Sequence, residues 1–154
     1  MTLLQIIRAI ERVAKKQPAI NMIVRNDIFR LNTYNDARYG VFAWVQGQHA
    51  TMVVSGLIRY QFSLIYADRL TEDLHNQAEV QSVGVQVISN IVRALAAEDI
   101  FTRGDVTFQP FNQRFTDECA GVFANVTFEV PMSTMCVDGF GDFNEDFNDD
   151  FLVI

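Results

Sequence analysis

Histidine is scarce in this chain, and the groups that could do chemistry are scattered. His49 and His75 are the two histidines present. Neither falls in a pattern that organises a nucleophile, base or metal, because the sequence holds no HExxH, no GxSxG and no glycine-rich phosphate loop. Cys119 and Cys136 lack CxxC spacing and a neighbouring histidine, so they read as buried thiols rather than zinc ligands. Three acid pairs, Glu72-Asp73, Glu98-Asp99 and Asp117-Glu118, could act as general acid and base. They fall at expected turns and helix ends, where carboxylates are ordinarily solvated. The expectation is no enzyme, no metal and no cofactor.

Two other groups of residues are suited to contacts rather than catalysis. Asp68-Arg69, followed by Thr71-Glu72-Asp73, is the most densely charged stretch before the C-terminal region. It reads as a turn with a helix cap or as a subunit contact. The second group is the sequence DGFGDFNEDFNDDFLVI, where Phe140, Phe143, Phe147 and Phe151 recur at steps of three, four and four before Leu152-Val153-Ile154. That composition is poor for a packed fold and is also that of a solubilising tail. Evenly spaced phenylalanines among acids, however, suit a segment that folds on binding, with its charge guiding it to a partner. The partner would be a neighbouring copy or a different subunit. Phe42, Trp44 and the tyrosines at 39, 60 and 66 offer a rival ligand-binding or base-stacking face, although strand aromatics usually form core.

The elements that position these residues follow from periodicity. Leu3, Ile6, Ile7, Ile10, Val13 and Ala14 make one helical stripe, with Thr2 as a cap and Pro18 as a stop. Strand-forming runs follow at Ile20 to Val24, Ile28 to Leu31, Tyr39 to Gln46, His49 to Val54 and Leu57 to Ala67, with Gly47-Gln48 read as a two-residue hairpin turn. In the last run Ile58, Tyr60, Phe62, Leu64 and Tyr66 alternate with Arg59, Gln61, Ser63, Ile65 and Ala67, the mark of a strand with one face on a core. From Leu70 to Ala97 the period becomes helical, and Gly84 interrupts the apolar face where a close approach is expected. Strands over Asp105 to Phe111 and Gly121 to Val130 complete the set. The expected fold is α+β, an antiparallel sheet packed on one side by two helices. Residues 1–137 make one domain and residues 138–154 an acidic, phenylalanine-rich tail.

Composition narrows the function classes. The 154 residues carry a formal net charge of −7, yet six of the nineteen acids lie within residues 138–150, where there is no base. Thirteen acids then face twelve bases, so the body is nearly neutral and offers no basic stripe for phosphates. Sequence-specific nucleic-acid binding is not expected. The opening MTLLQIIRAIERVAKK is interrupted by Arg8, Glu11 and Arg12, which argues against a signal peptide or membrane span and for synthesis in a reducing cytoplasm.

The segment GLIRYQFSLIYADRLTEDLHNQAEVQSVGVQVISNIVRAL (Gly56 to Leu95), followed by CAGVFANVTFEVPM (Cys119 to Met132), resembles small neck or tail proteins of tailed bacteriophages that infect Bacteroidetes, including the crAss-like group. The order helix, strands, helix, two strands over residues 3–135 is similar to that of tail-terminator and tail-completion proteins. The resemblance implies a virion component made in the host bacterium's cytoplasm. It would form a homomeric ring at the head-tail neck or the tail terminus, with other neck, portal or tail proteins as partners and no catalytic residues. The alternative is a small-ligand or nucleotide-binding α+β module using the aromatic strand face.

Overall fold

The computed structural model describes residues 1–27, 39–70, 75–112, 119–132 and 153–154. Helix α1 (Leu3–Lys15) begins at a reciprocal cap: the Thr2 hydroxyl accepts from the Gln5 backbone nitrogen at 3.3 Å, and Gln5 Oε1 accepts from the Thr2 nitrogen at 2.8 Å. Two backbone donors that the helix itself leaves unsatisfied are thereby paired. The chain continues through β1 (Met22–Arg25), β2 (Val41–Val53), β3 (Leu57–Arg69), α2 (Gln77–Ala96), β4 (Phe101–Thr102), β5 (Thr107–Asn112) and β6 (Cys119–Pro131).

The class is α+β, as expected, but the sheet is mixed rather than antiparallel. Its order is β1-β2-β3-β6-β4, with β5 also paired to β6. β1 runs parallel to β2, Ile23 opposite Phe42 and Arg25 opposite Trp44. A parallel pair cannot be joined by a tight turn, and fifteen residues, 26–40, separate these strands in the sequence. The run Ile28 to Leu31 lies outside the described residues.

The hairpin expected at Gly47-Gln48 is not formed. β2 continues through it, with a register shift between Gln46 and Ala50, so residues 47–49 oppose Gln61 alone. This is a bulge, and it explains the glycine: a Cβ at position 47 would stand 2.6 Å from Gln61 Cβ and 2.9 Å from its carbonyl oxygen. The chain reverses instead at Val54-Ser55-Gly56, where the Gly56 nitrogen donates to the Val53 carbonyl at 2.9 Å.

The alternation read along β3 places Phe62, Leu64 and Tyr66 on the helix-covered face. They join Phe42, Trp44, Val122, Ala124, Val126 and Phe128 beneath Ile6, Ile10 and Val13 of α1 and Val80, Val87, Ile88, Ile91 and Leu95 of α2. The opposite face carries a second buried cluster of Met22, Val24, Val41, Ala43, Ile65, Ala67 and Phe111. Both faces are therefore apolar near the β1 end of the long strands. Towards the β2–β3 turn the second face becomes polar.

Candidate functional site

Three surfaces stand out, and each is built by a sheet edge or strand end. The first is β1, whose outer edge is met by the end of the chain. Ile23 and Val153 form a parallel bridge; the Ile154 nitrogen donates to the Ile23 carbonyl at 3.0 Å, and the Arg25 nitrogen donates to the Ile154 carbonyl at 2.8 Å. Val153 packs against the helix-side core and Ile154 against the second cluster, so the two residues straddle the sheet as strand residues do.

The same Arg25 anchors this edge from inside. Its guanidinium grips Glu11 of α1 through two bonds, Nε to Oε1 at 2.6 Å and Nη2 to Oε2 at 2.8 Å, and Trp44 Nε1 donates to Oε1 at 3.0 Å. Glu11 is 3% exposed. The hydrogen bond to Glu11 raises the Arg25 pKa further above its ordinary value, against the lowering effect of burial. A carboxylate buried on the apolar side of α1 is tolerated because both of its oxygens accept hydrogen bonds and a guanidinium supplies the countercharge.

The second surface is the far half of the β2–β3 hairpin. Most of Gln46–Tyr60 is exposed or half-buried; Met52 is 63% exposed and Val54 at the turn 97% exposed. Met132 is a further exposed apolar residue tied to this turn, its nitrogen donating to the Gly56 carbonyl at 2.9 Å. On the polar face nearby, Thr51, Arg59, Gln61, Arg103, Gly104 and Thr127 line an open cleft of about 350 Å³. Arg59 there is paired with Glu129 at 2.7 Å.

The third surface is the charged end of β3, where Asp68 and Arg69 are not the turn expected there but strand residues opposite Ala120 and Cys119 of β6. Asp68 Oδ1 accepts from the Arg69 nitrogen at 2.7 Å and, more weakly, from the Gly40 nitrogen at 3.4 Å; Arg69 lies over the Tyr39 ring, 5.2 Å from its centre. Burial first, and then the charge and hydrogen bonding of Asp68, push the Tyr66 phenol up to about 12. Asp68 thus serves its own chain at the end of a strand, holding the Arg69 and Gly40 backbone nitrogens. Glu72 and Asp73 lie outside the described residues, as do Phe140, Phe143, Phe147, Phe151 and Leu152. Of the proposed tail contacts, Ile154 alone can be placed, and it pairs in this chain with β1 rather than standing free.

Among the described residues the chemistry-bearing groups are not brought together. His49 sits exposed in the β2 bulge and His75 precedes α2. Among the described residues no group of three or more His, Cys, Asp or Glu side chains could hold a metal ion, and no helix is long and apolar enough to cross a membrane. Cys119 is a buried residue at the start of β6. Phe42, Trp44 and Tyr66 lie inside the core, where Trp44 meets Phe62 edge-on with ring centres 6.1 Å apart. The chain matches no model of a known protein family and none of the curated proteins it was compared with.

Sequence reasoning missed the β1 edge, the Glu11 cluster and the hairpin tip. Ser55-Gly56 was the available signal for the true turn. No local signal marks Glu11 as buried, because its partners lie fourteen and thirty-three residues away.

Proposed function

We propose that this chain is a non-enzymatic virion structural protein, of tail-terminator or tail-completion type, that forms a homomeric ring at the head-tail neck or tail terminus and joins the portal or connector to the tail. The observation that supports the reading is the apolar end of the β2–β3 hairpin, where Met52 and Val54 are exposed beside Met132. An apolar tip on a nearly neutral body is suited to a head-to-tail contact, which closes into a ring when the rotation between subunits permits. The acidic C-terminal tail supplies a second link between neighbours, and the charged Asp68–Asp73 stretch a third.

Electron microscopy of the full-length protein, alone and mixed with neck proteins encoded beside it, tests this directly. Closed rings, or addition of the chain to a portal or tail complex, are expected. Met52→Asp with Val54→Asp should abolish them while leaving folding stability within about 0.5 kcal/mol, because both positions are exposed. Persistent monomers that join nothing, together with a melting temperature raised by nucleotides, would replace the reading with the small-ligand module.

A further inference from the structure

We infer that the β1 edge is an acceptor for the C-terminal residues of a second copy of this chain, so that Val153 and Ile154 exchange between neighbours. The inference rests on the assembly reading and specifies which surface receives the tail. β1 is an edge strand, and an unpaired edge is a template for a strand from another chain. Here it already accepts a strand end by parallel pairing, through the two backbone hydrogen bonds between Ile154 and residues Ile23 and Arg25. Backbone pairing of this kind is indifferent to whether the incoming residues belong to the same chain or to an identical one.

The tether permits both. Val153 lies opposite Ile23, which aligns through Phe42 and Tyr66 with Val122, nine residues before Pro131. At about 3.3 Å per residue and about 4.8 Å per strand, that places Val153 roughly 35 Å from the end of β6. Twenty residues, 133–152, join Met132 to Val153, and they can extend to roughly 66 Å. That contour length is nearly twice the distance, which leaves enough chain for the same ending to be shared with an adjoining copy. The contact it makes is small enough to open and reclose, and exchange of an identical element adds no new interface chemistry. Once copies are held side by side, the tether sets the effective concentration of the ending at either edge. The side-chain fit is also supplied: Ile154 meets the second cluster and Val153 the helix-side core whichever copy provides them.

The experiment uses full-length chains. One carries Val24→Cys and the other, of different mass through a tag, carries Ile154→Cys, both with Cys136→Ser; they are mixed and oxidised. Residues 24 and 154 sit on the same side of adjacent strands, so a disulfide joining the two chains is expected, with peptide mapping to positions 24 and 154. A double variant with both substitutions in one chain should close internally when dilute and oxidised, fail to assemble in that state, and regain assembly on reduction. Rings that form equally well with the bond closed inside each chain would overturn the exchange. So would a mixture that yields no interchain bond while the double variant closes. Interchain bonds without any ring would leave exchange standing and remove the ring instead.

Discussion

Gly84 of α2 lies so close to Val122 of β6 that a Cβ at position 84 would stand 2.7 Å from Val122 Cγ2, and 3.1 Å from Tyr66 Cδ1. The absent side chain lets the helix settle onto the sheet at its midpoint. Gly84→Ala therefore sets two effects against each other. Alanine favours a helix by about 1 kcal/mol over glycine, whereas overpacking a close core contact costs about 1–3 kcal/mol. Val122 and Tyr66 are buried, and neither can swing into solvent. We expect net destabilisation of about 1 kcal/mol by urea unfolding; an unchanged or raised midpoint would show that the sheet yields.

What could be read from the sequence was what local periodicity encodes. α1, α2, β3 and β6 each repeat an apolar spacing over ten or more residues, and Gly84 stood out because it broke one. What could not be read depends on residues far apart in the chain. Gly47-Gln48 has the local look of a turn, and only the approach of Gln61 from the neighbouring strand makes it a bulge. β4 is two residues long, too short for any period to register. The parallel pairing of β1 with β2 and the arrival of Val153–Ile154 beside β1 are facts of tertiary register. For the candidate site, the sequence named Ile154 and Asp68 but assigned neither its partner.

The Glu11–Arg25 pair is asymmetric, since Glu11's side chain is 4% exposed and Arg25's 40%. Removing the arginine leaves a buried carboxylate without its countercharge, at a cost of about 3–5 kcal/mol. Removing the glutamate leaves a guanidinium that reaches water. Arg25→Met should therefore destabilise more than Glu11→Gln, by about 1 kcal/mol or more. Thermal unfolding of the two variants side by side checks this, and the reverse order would mean that Glu11's surroundings solvate it well without Arg25.

Tyr66 gives stability a pH dependence at the alkaline end. Its phenol is raised from 10.0 to about 12 in the fold. Between these values the unfolded chain has lost the proton and the folded chain retains it, so stability falls as pH rises. The contribution is whole below pH 10 and declines by up to about 1.4 kcal/mol per unit above it. Tyr66→Phe removes this part of the slope. Urea unfolding at pH 9 and pH 11.5 should show a smaller alkaline loss in the variant than in the native protein; equal losses would place the titration elsewhere.

Deleting Val153 and Ile154 tests how firmly the end of the chain belongs to the body. Both residues are half-buried, and the deletion removes the two backbone bonds to Ile23 and Arg25. At about 0.5–1.5 kcal/mol for each bond the loss is about 1–3 kcal/mol, a lowering of the melting temperature by about 3–10 °C for a chain of this size. The Glu11 cluster and both helices remain, because the bonds inside them involve neither residue. Unfolding should therefore stay a single cooperative transition in calorimetry. A variant that melts without cooperativity would show that the β1 edge requires its added strand to hold the sheet together, and that the C-terminal residues are part of the folding unit.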